Sequence, residues 1–128
     1  MTRGLNVEAA GGLEVGAIPM AAALAQCYAR HGKPLEGFFV RKQAKEHGSK
    51  ERIEGVLRPG MRVVVLDDVL TTGGSVLQAI AEVEKAGASV AAVVCIVDRL
   101  EGAREALQAY EFLPIFTIRD FGINPTAP

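Results

Sequence analysis

An apolar run, Val63-Val64-Val65-Leu66, delivers two adjacent acids, Asp67 and Asp68, into a turn made of Val69, Leu70, Thr71, Thr72, Gly73, Gly74 and Ser75. A β-branched run of this kind reads as a strand buried on both faces, and the carboxyl ends of such strands are where open α/β sheets bind ligands. After Ser75 the apolar positions Val76, Leu77, Ile80 and Val83 recur at helical spacing, so the turn opens a helix. A helix start offers free backbone N–H groups and the positive end of the dipole, and two glycines let a phosphate approach the main chain. The hydroxyls of Thr71, Thr72 and Ser75 add donors. Acids beside an anion cradle suit a phosphorylated sugar; the plainer alternative is a buried strand ending in solvated acids before an ordinary helix cap.

Three further groups could carry chemistry. Arg41, Lys42, Lys45 and His47 concentrate positive charge just before Gly48, a run that on its own reads as a solvated charged loop. Gly12, Leu13, Glu14, Val15 and Gly16, preceded by Gly11, make a glycine-bounded turn that is neither a dinucleotide-binding nor a P-loop pattern. Asp98 and Arg99 close another apolar run; the arginine offers a planar fork for an anionic acceptor, or a partner for Asp98 or Glu101. Asp120-Phe121-Gly122 spells a kinase tripeptide, but neither a glycine-rich kinase loop nor a catalytic-loop motif accompanies it. His31 and His47 lack companions at metal-ligand spacing, so no protein-built transition-metal site is expected.

The acid pair with Thr71-Thr72-Gly73-Gly74 and the helix start resembles the phosphoribosyl pyrophosphate (PRPP) motif of the type I phosphoribosyltransferases. In that family the acids hold the ribose 2′- and 3′-hydroxyls and the turn cradles the 5′-phosphate. The stretch from Arg41 to Gly48 resembles the catalytic loop of the orotate phosphoribosyltransferases, which narrows the family. The resemblance implies catalytic roles for Lys42, Lys45, His47, Asp67 and Asp68. It implies PRPP contacts from those residues, from Arg41 and from residues 69–75, and a pyrophosphate loop at residues 12–16. Thr71 and Arg99 would then read the base.

The implied enzyme is a glycosyltransferase of pyrimidine synthesis that joins orotate to PRPP, giving orotidine 5′-monophosphate and pyrophosphate. Magnesium is expected to ride mainly on PRPP and pyrophosphate, and a homodimer with shared active sites follows from the family's loop lysine acting across the subunit boundary. A purine (adenine or xanthine) transferase and a non-catalytic PRPP-binding regulatory module are the alternatives. Full-length relatives carry an N-terminal hood over the base, and no residues here match it. The expectation is either a reading frame that begins late or a minimal form that handles the base differently.

These residues need a sheet to bring them together. Periods of two and of 3.6 alternate along the chain, which predicts an α/β fold: a doubly wound, mostly parallel five-stranded sheet with helices on both faces. The strands are expected at residues 5–10, 35–40, 62–66, 90–97 and 113–118, and the helices at 18–31, 76–86 and 103–110. Residues 41–55 read as a loop, since only Ile53 interrupts their polarity. A phosphoacceptor receiver domain has a similar pattern, but its acid pair follows the first strand, whereas here it follows the third.

At 128 residues the chain is expected to form a single domain, 1–128. Its formal charge of −1 provides no global basic field for nucleic acid, and no apolar run is long enough to span a membrane. The N-terminus lacks a secretory signal pattern, which predicts a cytoplasmic location. Cys27 and Cys95 read as small buried apolar residues rather than a disulfide or metal pair.

Overall fold

The structure, a computed structural model, describes residues 6–42 and 52–125. Among the described residues six strands form one sheet: β1 (Ala9–Leu13), β2 (Glu36–Val40), β3 (Ile53–Gly55), β4 (Arg62–Leu70), β5 (Ser89–Asp98) and β6 (Phe112–Thr117). Their spatial order is β3-β2-β1-β4-β5-β6, all parallel except β3, which runs antiparallel to β2 at the edge. Helix α1 (Ala17–Arg30) crosses from β1 to β2, α2 (Gly74–Lys85) from β4 to β5, and the single turn α3 (Ala103–Ala106) lies between β5 and β6.

The β4 sequence shows why both faces are covered. Successive side chains on a strand point to opposite faces. Val63 and Val65 accordingly pack with Val76, Ala79, Ile80 and Val83 of α2 and with Ala103 of α3. Val64 and Leu66 pack on the other face with Ala17, Ala21 and Tyr28 of α1. Leu66 is 2% exposed, and truncating a leucine so placed to alanine costs about 2–5 kcal/mol.

Four expectations are corrected. The sheet has six strands rather than five, because Ile53–Gly55, at the end of the expected loop, pairs with Phe38, Phe39 and Val40. The first strand runs through the glycines rather than stopping before them. A Cβ at Gly11 would overlap the Phe38 carbonyl oxygen and one at Gly12 the Leu66 carbonyl oxygen, so these glycines admit close neighbouring backbones instead of making a turn. The third helix spans four residues rather than eight. Cys27 is exposed, on the outer side of α1, while Cys95 is buried as expected.

Strand order reverses between β1 and β4: the chain crosses from β1 outward to β2 and from β4 the other way to β5. The crevice beyond the carboxyl ends of these two strands is the topological switch point, where open α/β sheets place ligands.

Candidate functional site

Strand β4 continues to Leu70, so the two acids lie within the strand rather than beyond its end. Asp67 pairs in register with Cys95, and Leu70 with Asp98. The pleat gives the acids different surroundings. A carboxylate pair at a strand end is expected to face solvent, but Asp67 is buried at 8% exposure because the strand continues past it, and of the two acids only Asp68 is exposed. Asp67 Oδ1 accepts the Asp68 N–H at 2.8 Å, and Asp68 Oδ1 accepts the Val69 N–H at 2.8 Å. Ser75 Oγ donates to Asp67 Oδ2 at 3.2 Å, tying the acid pair to the first turn of α2. Burial, together with the neighbouring Asp68 carboxyl, raises the Asp67 pKa to about 6.

The turn at residues 71–75 opens a helix, as expected. Gly73 adopts a left-handed conformation, φ 92°, and a Cβ there would stand 3.4 Å from the Ala106 side chain, so the position calls for glycine. No side chain caps α2, and its first intrahelical bond runs from the Leu77 N–H to the Gly73 carbonyl. The N–H groups of Gly74, Ser75 and Val76 thus precede the helical ladder at the positive end of the dipole. Thr71, Thr72, Gly74 and Ser75 are exposed. Leu70 is 1% exposed, so only its main chain can face a ligand.

The turn after β1 completes the crevice. Gly12 and Leu13 belong to the strand, and Leu13 is core, so of the residues expected to form this loop only Glu14, Val15 and Gly16 lie in the turn. Gly16 is held directly against the acids: a Cβ there would lie 2.7 Å from Asp68 Oδ1 and 2.8 Å from Asp67 Oδ1. Glu14 reaches sideways, its Oε1 accepting the Lys42 N–H at 2.9 Å. Arg41 and Lys42 follow β2 directly, with Arg41 Nε 3.0 Å from Glu54 Oε1 on β3. Lys45 and His47 lie outside the described residues.

At the far side of β4, the Arg99 N–H donates to the Leu70 carbonyl at 2.9 Å, which sets Arg99 beside Thr71. Its side chain, 47% exposed, pairs with Glu101 at 3.1 Å, while Asp98 accepts the Leu100 N–H instead. The structure therefore gathers the acid pair, the glycine turn, the phosphate turn, Arg41 and Lys42, and Thr71 with Arg99 along one edge of the sheet. Sequence reasoning missed the contribution of Arg52, whose guanidinium bonds the Arg41 and Lys42 carbonyls; no pattern in the polar stretch around it distinguishes this arginine.

Comparison with known proteins agrees with this geometry. The chain is 47% identical over 118 residues to the orotate phosphoribosyltransferase of Sorangium cellulosum, a match covering 89% of this chain and 62% of that protein. It is 40% identical over 124 residues to the orotate phosphoribosyltransferase of Rhodopirellula baltica, covering 95% of this chain and 64% of that protein. The crystal structure of Mycobacterium tuberculosis orotate phosphoribosyltransferase in complex with PRPP superposes with a TM-score of 0.80 at 36% identity, covering 94% of this chain and 69% of that one. The chain thus spans somewhat over three fifths of the length of the curated relatives it matches. Residues 11–124 match the phosphoribosyl transferase domain, and the chain belongs to that family.

Proposed function

We propose that the chain catalyses transfer of the phosphoribosyl group from PRPP to orotate, forming orotidine 5′-monophosphate and releasing pyrophosphate. The observation that carries this reading is the approach of Gly16 to both carboxylates of the acid pair, which Ser75 in turn bonds to the phosphate turn. That contact brings the phosphate cradle, the acid pair and the glycine turn side by side, where the two phosphorylated ends of PRPP would lie.

In this crevice Asp67 and Asp68 accept hydrogen bonds from the ribose hydroxyls, and the N–H groups of residues 74–76 with the hydroxyls of Thr71 and Thr72 hold the 5′-phosphate, the Ser75 hydroxyl being taken by Asp67. The main chain of Glu14, Val15 and Gly16 faces the diphosphate. Cleavage of the bond between the anomeric carbon and the diphosphate oxygen sends its electron pair to the leaving group, while a ring nitrogen of orotate bonds to that carbon and its proton passes to the departing diphosphate. Negative charge grows on the diphosphate as positive charge grows on the ribose. Cations from Arg41, Lys42, Lys45 and His47 stabilise the first, and the acid pair stabilises the second.

The donors present fit magnesium brought by the substrate. Asp67 and Asp68 would be the residues beside it, since their carboxylates are the hard oxygen donors that magnesium takes, with the ion carried mainly by the substrate. When bound, it would neutralise diphosphate charge.

Arg99 beside Thr71 favours an anionic base over a purine, because its fork suits carboxylate and carbonyl oxygens. The Arg99–Glu101 pair supports a second reading, a module that binds PRPP without turnover, since it engages the guanidinium expected to read the base. We also propose a homodimer, supported by the exposed apolar side chains Val15 and Ile18 next to the crevice, and a cytoplasmic location, supported by two free cysteines. No described helix is long and apolar enough to cross a membrane.

The test is pyrophosphate release from PRPP with orotate, adenine or xanthine in turn. Release with orotate alone supports the proposal; release with a purine alone assigns a different base, and PRPP binding without release supports the second reading.

A further inference from the structure

We propose that Arg52 is a positioning residue that, together with Glu14, pins the Lys42 peptide at the rim of the crevice; the inference rests on the transferase reading above. Strand β2 ends at Val40, where it pairs with Ile53, so the sheet ladder no longer fixes the next two residues. These are Arg41 and Lys42, the described cations nearest the glycine turn. Their backbone is held by other means. The Arg41 N–H donates to the Arg52 carbonyl at 2.6 Å. In return, Arg52 Nε donates to the Arg41 carbonyl at 2.9 Å and a terminal nitrogen of the same guanidinium donates to the Lys42 carbonyl at 2.7 Å. The Lys42 N–H is taken by Glu14 Oε1 at 2.9 Å. Both sides of the Lys42 residue are therefore fastened, one to the glycine turn and one to Arg52.

The remaining terminal nitrogen of Arg52 pairs with Glu82 Oε1 on α2 at 3.4 Å. Helix α2 is the one whose first turn forms the phosphate cradle, so Arg52 links the cation-bearing end of β2 to the element that would hold the 5′-phosphate. The Arg52 and Glu82 side chains are 26% and 18% exposed, which limits the solvent competition that weakens surface pairs. They line a cavity of about 560 Å³ with Ile53, Leu57 and Lys85, and none of the acid-pair or phosphate-turn residues lines it. Arg52 thus acts through Lys42 rather than on substrate. Only an arginine can do so: three nitrogens in a fixed fork serve two carbonyls and a carboxylate, whereas lysine offers one nitrogen.

The test compares wild type, Arg52→Gln and Arg52→Lys by kcat, by calorimetric PRPP affinity, and by NMR amide hydrogen exchange at Arg41 and Lys42. Because an ångström-scale misplacement of a catalytic group can cost up to about a hundredfold in rate, Arg52→Gln is expected to lower kcat at least about tenfold while PRPP affinity changes less than about threefold. Amide exchange at Arg41 and Lys42 should accelerate, and Arg52→Lys should recover only part of both effects. In a Lys42→Ala background, Arg52→Gln should cost little further activity, since the side chain it positions is gone. Unchanged kcat in a folded Arg52→Gln protein, an equal loss in the Lys42→Ala background, or unchanged exchange would each overturn the proposal. If wild type itself releases no pyrophosphate with any base, the transferase reading fails, and the exchange at Arg41 and Lys42 still decides whether Arg52 holds that peptide.

Discussion

Gly16 stands against Asp68 so closely that a methyl group there would lie 2.7 Å from the Asp68 Oδ1 oxygen. Two segments far apart in sequence, the turn after β1 and the end of β4, thereby share one surface with no side chain between them. A ligand that spans both segments meets main-chain N–H groups on one side and carboxylates on the other.

Gly16→Ala should therefore damage binding more than folding. The added methyl must push the turn off the carboxylates, while α1 and the core beneath it keep their packing. PRPP affinity is expected to fall at least about tenfold, the scale of losing one or two charge-assisted hydrogen bonds, with little change in melting temperature. Calorimetric titration beside a thermal melt checks this; wild-type affinity in Gly16→Ala would contradict the shared surface.

Replacing both acids, Asp67→Asn with Asp68→Asn, should abolish measurable PRPP binding and leave the protein folded. Asparagine keeps the size of aspartate: its one carbonyl oxygen can accept the backbone N–H of residue 68 and its amide can donate to Ser75 Oγ, so the burial of position 67 is preserved. Unchanged PRPP affinity would remove the acid pair from the site.

The raised pKa of Asp67 gives a signed pH dependence. The folded protein holds this proton up to a pH of about 6, whereas the unfolded chain releases it near 3.8. Between these values the folded state binds more protons, so the Asp67 contribution is fully present below the lower pH and is lost as pH rises through the upper one. The melting temperature of wild type relative to Asp67→Asn should fall across this window and then level. Other carboxylates titrate in both proteins, so the difference between them is the readout. A flat difference would mean that burial does not perturb Asp67.

The acid pair and the turn that opens α2 were legible in the sequence because an apolar run, two acids and a hydroxyl–glycine turn each carry a local physical signature. The α/β alternation was legible for the same reason. What the sequence hid was set by tertiary contact. Gly11 and Gly12 look like turn residues until the Phe38 and Leu66 carbonyls beside them show why a strand would need glycine there. Strand β3 is three residues of weak pattern that exist only by pairing with β2. The burial of Asp67 follows from β4 running four residues past Leu66, a length fixed by its register with β5 rather than by its own residues. Arg52 stood in a polar stretch with nothing local to mark it.

Cations placed for the transition state should separate binding from turnover. Lys42→Ala and Lys45→Ala are each expected to lower kcat far more than they weaken PRPP binding, because charge on the departing diphosphate is greatest after the bond begins to break. Steady-state kinetics with calorimetry measures both quantities. Equal losses in the two would assign these lysines to ground-state binding instead.

The most direct test of the site is calorimetric titration of the purified 128-residue protein with PRPP and magnesium, followed in the same samples by orotate addition and assay for pyrophosphate. Saturable binding of PRPP, with pyrophosphate released only after orotate is added, is the predicted result. A folded protein that shows no PRPP binding would contradict the account at its centre.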